Sequence, residues 1–174
     1  MKRMNLQMFA DAVPGKKLVY LFRIKENQAT ATGTLLSFVT DNSRSVSVDS
    51  DSTATKDGNI RTPGTPEVEI TSTSILKKGD TMIAALEQAM LNNKVVQCWE
   101  ANLEEAGTGN NKFKGTYYEG YITELEKNSA AEDLVEISIT YGANGSGATG
   151  DVTVTTEQQE AAAYTFVDTT TQQA

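Results

Sequence analysis

The stretch DLVEISITY (133–141) decides the fold class. Val135, Ile137, Ile139 and Tyr141 fall on one parity, and Glu136, Ser138 and Thr140 on the other. A period of two over this length predicts a half-buried β-strand. The same alternation recurs at 67–75, where Val68 and Ile70 sit between Glu67, Glu69 and Thr71. Further strands are expected at 17–25, 33–40, 94–103, 113–126 and 151–156. Threonine, with 23 copies, lies mostly beside Val and Ile, and β-branched side chains favour a pleated surface.

One helix interrupts the strands. In GDTMIAALEQAMLNN (79–93), Asp80 or Thr81 can cap the first turn. Ile83, Leu86 and Met90 then recur at helical spacing, with Met82 and Ala89 beside them, which places a helix at about 79–92. A second short helix is expected at EQQEAAA (157–163). Strands, one helix and more strands predict a mainly β protein, a sandwich or barrel-like sheet flanked by that helix.

Two segments depart from these patterns. The stretch 41–66 is polar, with only Val46, Val48, Ala54 and Ile60 as apolar residues, and is read as a long loop or hairpin. Lys56-Asp57-Gly58-Asn59 is its expected turn. The strand at 113–126 is apolar on both parities, with Tyr117, Tyr121 and Leu125 on one and Tyr118 and Ile122 on the other. Such a strand is central in its domain or covered by a neighbouring subunit.

The length of 174 residues fits one domain with arms: an N-terminal arm at 1–16, a domain at 17–156 and a C-terminal arm at 157–174. The N-terminal apolar run is broken by Gln7 and Asp11 and is read as an arm, not an export signal. No membrane span is expected.

Composition excludes several chemistries. There is no His, so no Ser-His-Asp triad and no His-bearing zinc site. The single Cys98 allows neither a disulfide framework nor a thiolate cluster. Trp99 shares a parity with Val95, Ala101 and Leu103 and is expected as a core anchor, with Cys98 on the opposite parity and chemically idle. Gly145–Gly150 matches the spacing of a dinucleotide-binding loop, but DVTVTT follows as a strand where that motif needs a helix. Asp49-Ser-Asp51-Ser-Thr53 opens like a calcium loop but has Ala54 and Ile60 where Gly and Glu are required. Glu104-Glu105 and Glu132-Asp133 lie at strand ends and are expected to be solvated. No catalytic, cofactor or metal site is therefore expected.

The net charge of −8 is uneven: +4 over 1–26, −2 over 27–99 and −10 over 100–174. Tight binding of a nucleic-acid backbone needs a concentrated basic face, which this chain lacks.

TKDGNIRTPG, EVEITSTS, KKGDTMIAALEQAMLNNKVVQCWEANL, YYEGYITELEKNSAAEDLVEISIT and TTEQQEAAAYTFVD occur in that order between Lys17 and Asp168. In that order they resemble the major tail protein family of phages with long non-contractile tails. The resemblance implies a β-sandwich flanked by a helix and a structural, non-enzymatic virion protein. It implies six-subunit rings, stacked through extended loops and terminal arms into the tail tube. The implied partners are further copies of the chain, a tape-measure protein that fills the channel, distal tail and tail-terminator proteins, and double-stranded DNA in passage without specific binding. Arg44, Lys56, Asp57, Asn59 and Arg61 of the polar segment, with Tyr118 and Ile122 of the two-faced strand, are the expected interface residues. The different-class alternative is a monomeric β-sandwich module that binds carbohydrate or another ligand.

Overall fold

The computed structural model describes residues 12–163; residues 1–11 of the expected N-terminal arm (1–16) and 164–174 of the expected C-terminal arm (157–174) lie outside them. Eight strands form one antiparallel sheet: β1 (Leu18–Ile24), β2 (Thr34–Leu35), β3 (Val39–Thr55), β4 (Gly58–Ile75), β5 (Val96–Ala106), β6 (Lys112–Asn128), β7 (Glu136–Ala143) and β8 (Ala148–Thr153). Two helices accompany it, α1 (Thr81–Leu91) and α2 (Thr156–Ala163). The spatial order is β2-β1-β5-β6-β7-β4-β3, with β8 also paired to β6.

The mainly β class with a flanking helix is as expected, but the two layers are parts of one sheet folded over. Four inter-strand steps separate β5 from β3. In a flat sheet they would lie about 19 Å apart. Yet Arg44 Nε on β3 stands 3.0 Å from Glu100 Oε2 on β5. One arginine side chain closes that gap only if the sheet curls. The main core fills the concave side. Tyr20 and Phe22 of β1, Ile70 of β4, Cys98 of β5, Tyr118 and Ile122 of β6 and Ile139 and Tyr141 of β7 form one buried cluster with Ile83 and Leu86 of α1. The alternation read at 133–141 is realised here: Ile137, Ile139 and Tyr141 are buried and Ser138 and Thr140 half-buried on the other side.

Asp80 is the cap that starts α1. Its Oδ1 accepts hydrogen bonds from the Met82 and Ile83 backbone N–H groups at 2.9 and 3.2 Å. This satisfies two of the free donors at a helix start.

Strands β7 and β8 are one strand with an interruption. Both pair to the same side of the long β6, Ala143 opposite Gly120 and Ala148 opposite Tyr117. The glycine-bearing segment between them is an excursion, not a hairpin turn. At Gly147 the chain takes φ +80°, and a Cβ there would lie 2.4 Å from Tyr118 Cε1, so only glycine fits.

Two expectations are corrected. Cys98 is fully buried in the main core, and burial pushes its thiol well up. Trp99 is half-buried on the opposite side, packed against a smaller cluster of Val19, Leu21, Ala101, Val152 and Val154. There the Arg23 guanidinium lies 4.8 Å from its ring centroid and the Tyr117 ring 5.3 Å away. The short helix expected at 157–163 is present as α2, which docks on the body. Gln158 Nε2 donates to the Gly33 carbonyl at 2.9 Å, and Ala162 joins the smaller cluster.

Candidate assembly surfaces

Of the loop and hairpin readings of the polar segment 41–66, the hairpin is observed: the segment is most of a two-stranded ribbon. Strands β3 and β4 pair from Val39 opposite Ser74 out to Thr55 opposite Gly58, which leaves Lys56-Asp57 as a two-residue turn. Every residue from Ser43 to Glu67 is exposed. Strand β7 supports β4 only from Val68 onward. The nine residues Ser47–Thr55 therefore continue past the body for about 30 Å as an unsupported two-stranded ribbon. Two-stranded ribbons are marginal in water without a surface to lie on. Polar side chains on both faces suit an element that is solvated before a partner covers it.

The base of the ribbon is tied to the body at Arg44. Arg44 Nε pairs with Glu100 Oε2 at 3.0 Å, and Arg44 Nη1 donates to Tyr118 Oη at 3.1 Å. Tyr20 Oη donates to the same Glu100 oxygen at 2.7 Å. Burial, reinforced by the Glu100 carboxylate, pushes the Tyr20 phenol far up, so it remains a donor. The Glu100 side chain is only 12% exposed, so the arginine compensates a largely desolvated charge.

The expected interface residues therefore divide into three groups. Lys56, Asp57, Asn59 and Arg61 lie on the free part of the ribbon. Arg44 belongs to the tie at its base. Tyr118 and Ile122 are 1% and 4% exposed, inside the main core, and offer no surface to a second subunit. The two-faced character of β6 arises within the chain: Tyr118 and Ile122 face the core, while Tyr117 and Tyr121 lie on the reverse.

The reverse side of the sheet carries a surface that sequence reasoning missed. Its β1–β5 half is covered by the smaller cluster and α2. Its β6–β7–β4–β3 half is bare of cover among the described residues. Three rungs cross these four strands: Asp41, Thr73, Ser138 and Glu126; Ser43, Thr71, Thr140 and Glu124; Ser45, Glu69, Gly142 and Tyr121. Glu67 and Glu136 extend the same face. Asp41, Glu67, Glu69, Glu124, Glu126 and Glu136 are all exposed there, among hydroxyl residues and with no Lys or Arg in the rungs. The period-two recurrence of acids at 67 and 69 and at 124 and 126 is its trace in the sequence.

Asp49–Thr53 is extended within β3 and does not wrap around an ion. Among the described residues no group of three His, Cys, Asp or Glu side chains is placed to hold a metal. Among them, no helix is long and apolar enough to cross a membrane.

Residues 12–148 match the family described as phage tail tube protein. The chain belongs to the phage tail tube family. A protein of Staphylococcus phage phiMR25 assigned to the tail is 29% identical over 157 residues, which span 87% of this chain and 80% of that one. The SPP1 tail tube structure superposes with a TM-score of 0.70 at 24% identity, covering 86% of this chain and 85% of that one. The tail of a gene transfer agent particle, determined with C6 symmetry, gives 0.62 at 12% identity and covers 80% and 99%. These two likenesses show the fold. The family makes the chain a tail tube subunit and a component of the virion, and it sets aside the monomeric binding module.

Proposed function

We propose that six copies of this tail tube subunit close into a ring, that rings stack into the tube, and that the bare acidic face of β3, β4, β7 and β6 lines the bore. The six-fold number rests on the C6 symmetry of the gene transfer agent tail. The observation that carries the conduit role is the acidic, base-free face. Duplex DNA binds wherever Lys and Arg displace its counterions, and a wall of carboxylates and hydroxyls offers it no such foothold. DNA then slides through without specific binding. The same bore is filled beforehand by the tape-measure protein, and the tube ends are closed by distal tail and tail-terminator proteins. No step in this role calls for catalysis.

The free ribbon carries the contact between subunits. It is ordered as strands but, among the described residues, has nothing to pack against. Its register offers a clean deletion: Ser47 and Glu67 are cross-strand partners, so Val48–Pro66 can be replaced by Asn-Gly. The shortened chain should fold as a monomer that unfolds cooperatively, with circular dichroism reduced only by the strand residues removed, and form no tubes by electron microscopy. Tubes of normal diameter from this variant would overturn the assignment of the ribbon.

A further inference from the structure

At the opposite end of the β3–β4 ribbon from its turn lies a group of apolar side chains left exposed among the described residues. Phe38, Val39, Leu76 and Leu134 are 65%, 38%, 40% and 72% exposed. Backbone hydrogen bonds bring their segments together. The Ile75 N–H donates to the Phe38 carbonyl at 3.0 Å, and the Leu76 N–H to the Val135 carbonyl at 2.8 Å. Phe38 is also strained, with φ +51°. A left-handed backbone costs energy for an aromatic residue. Here it leaves the ring 65% exposed among the described residues. Such strain marks positions where function requires a fixed presentation.

We infer that this cluster is the seat for the free ribbon of a second copy in the next ring. The inference rests on the tube reading above and names the surface that the ribbon meets. Location is the first argument. Seventeen residues of β3 separate the cluster from the turn, about 50 Å of strand. A donor at one end of a subunit and an acceptor at the other form a head-to-tail contact that repeats without closing, as a growing tube requires. Chemistry is the second. The ribbon carries exposed Val46, Val48 and Ile60, which are 57%, 47% and 60% exposed and have no cover of their own. Charge is the third. Glu132, Asp133 and Glu136 flank Leu134, and the ribbon brings Lys56 and Arg61; Lys77 and Lys78 follow Leu76, and the ribbon brings Asp49, Asp51 and Asp57. The rim is thus matched in both signs, which favours register and partner choice.

The test uses cross-linking between two singly substituted full-length chains. Ile60→Cys and Leu134→Cys are mixed, concentrated to the millimolar range and oxidised; Cys98 is buried and does not compete. A disulfide joining one chain of each kind is expected, and neither variant alone should give it in comparable yield. In parallel, Phe38→Asn combined with Leu134→Ser, both at exposed positions, should leave the fold intact and raise the concentration needed for self-association at least about tenfold. Assembled tubes without the mixed disulfide, or an unchanged assembly threshold in the double variant, would overturn this seat while leaving the tube reading in place. A wild-type chain that shows no self-association by sedimentation at millimolar concentration would overturn the tube reading and this inference with it.

Discussion

Replacing Arg44 with Ala should loosen the ribbon at its base, and the structure sets the size of the effect. The substitution removes an ion pair to Glu100 and a hydrogen bond from the charged guanidinium to the neutral Tyr118 hydroxyl. Glu100, 12% exposed, would keep only the Tyr20 hydroxyl among these partners. Hydrogen bonds to charged groups contribute roughly 1.5–3 kcal/mol. The Arg44 side chain is 39% exposed, so solvent screening places the loss at the lower end, about 1–2 kcal/mol. For a chain of this size that corresponds to a fall in melting temperature of about 2–8 °C. Glu100→Gln keeps the shape and removes the charge. A double-mutant cycle between the two should return a coupling of about 1 kcal/mol. Hydrogen exchange should rise from Ser43 to Val48 in Arg44→Ala while the amides of β7 stay protected. Additive effects, with coupling near zero, would refute the claim that this pair fastens the ribbon to the body.

Other consequences can be checked as directly. Gly147→Ala places a Cβ against Tyr118 at φ +80° and should cost at least about 2 kcal/mol in urea unfolding, whereas Gly145→Ala, at the same φ with nothing within 4 Å, should cost about 1 kcal/mol. Asp151 is held down to about 2, from an ordinary 3.8, chiefly by the Lys114 ammonium and then by the Thr108 N–H. Because its folded value is depressed, its stabilising contribution is present above pH 4 and lost as pH falls towards 2; Asp151→Asn should flatten the melting-temperature profile in that window. Cys98 should react with a thiol reagent only at the rate of unfolding, and fast modification under native conditions would contradict its core placement. Tubes carrying Glu67→Lys, Glu69→Lys and Glu124→Lys should retain duplex DNA at low salt and release it at high salt, whereas wild-type tubes should not retain it.

How far the residues alone reveal this architecture depends on whether a segment meets the core. Alternation at 133–141 and helical spacing at 80–90 read correctly because one side of each element is buried and selects apolar residues. The ribbon gives no such signal. Beyond Val46 it has no core to face, so Ser, Thr and Asp occupy both sides and strand and loop look alike. Its turn was legible because Lys56-Asp57-Gly58 carries its own local chemistry. The body end of β4 is read correctly to 75 although Ser72 and Ser74, both 1% exposed, continue its buried side with polar residues; only its ribbon end, 58–66, escapes. Parity alone misplaces Trp99 and Cys98 because β5 is apolar on both parities and only the folded sheet distinguishes its main core from the smaller one. On β6 the same two-sided pattern makes Tyr118 read as an interface residue, although it is 1% exposed in the main core. The acidic face needs register: Asp41, Thr73, Ser138 and Glu126 are far apart in the chain and meet only as one rung across four strands. The continuity of β7 with β8 across Gly145 and Gly147 is likewise a property of pairing with β6.

Electron cryomicroscopy of tubes assembled from the full-length chain tests the central claim most directly. The account predicts stacked six-subunit rings, with Glu69, Glu124 and Glu126 facing the bore and the Lys56-Asp57 turn of each subunit reaching a neighbouring ring. Tubes with this acidic face turned outward, or with the ribbon confined to its own ring, would contradict it.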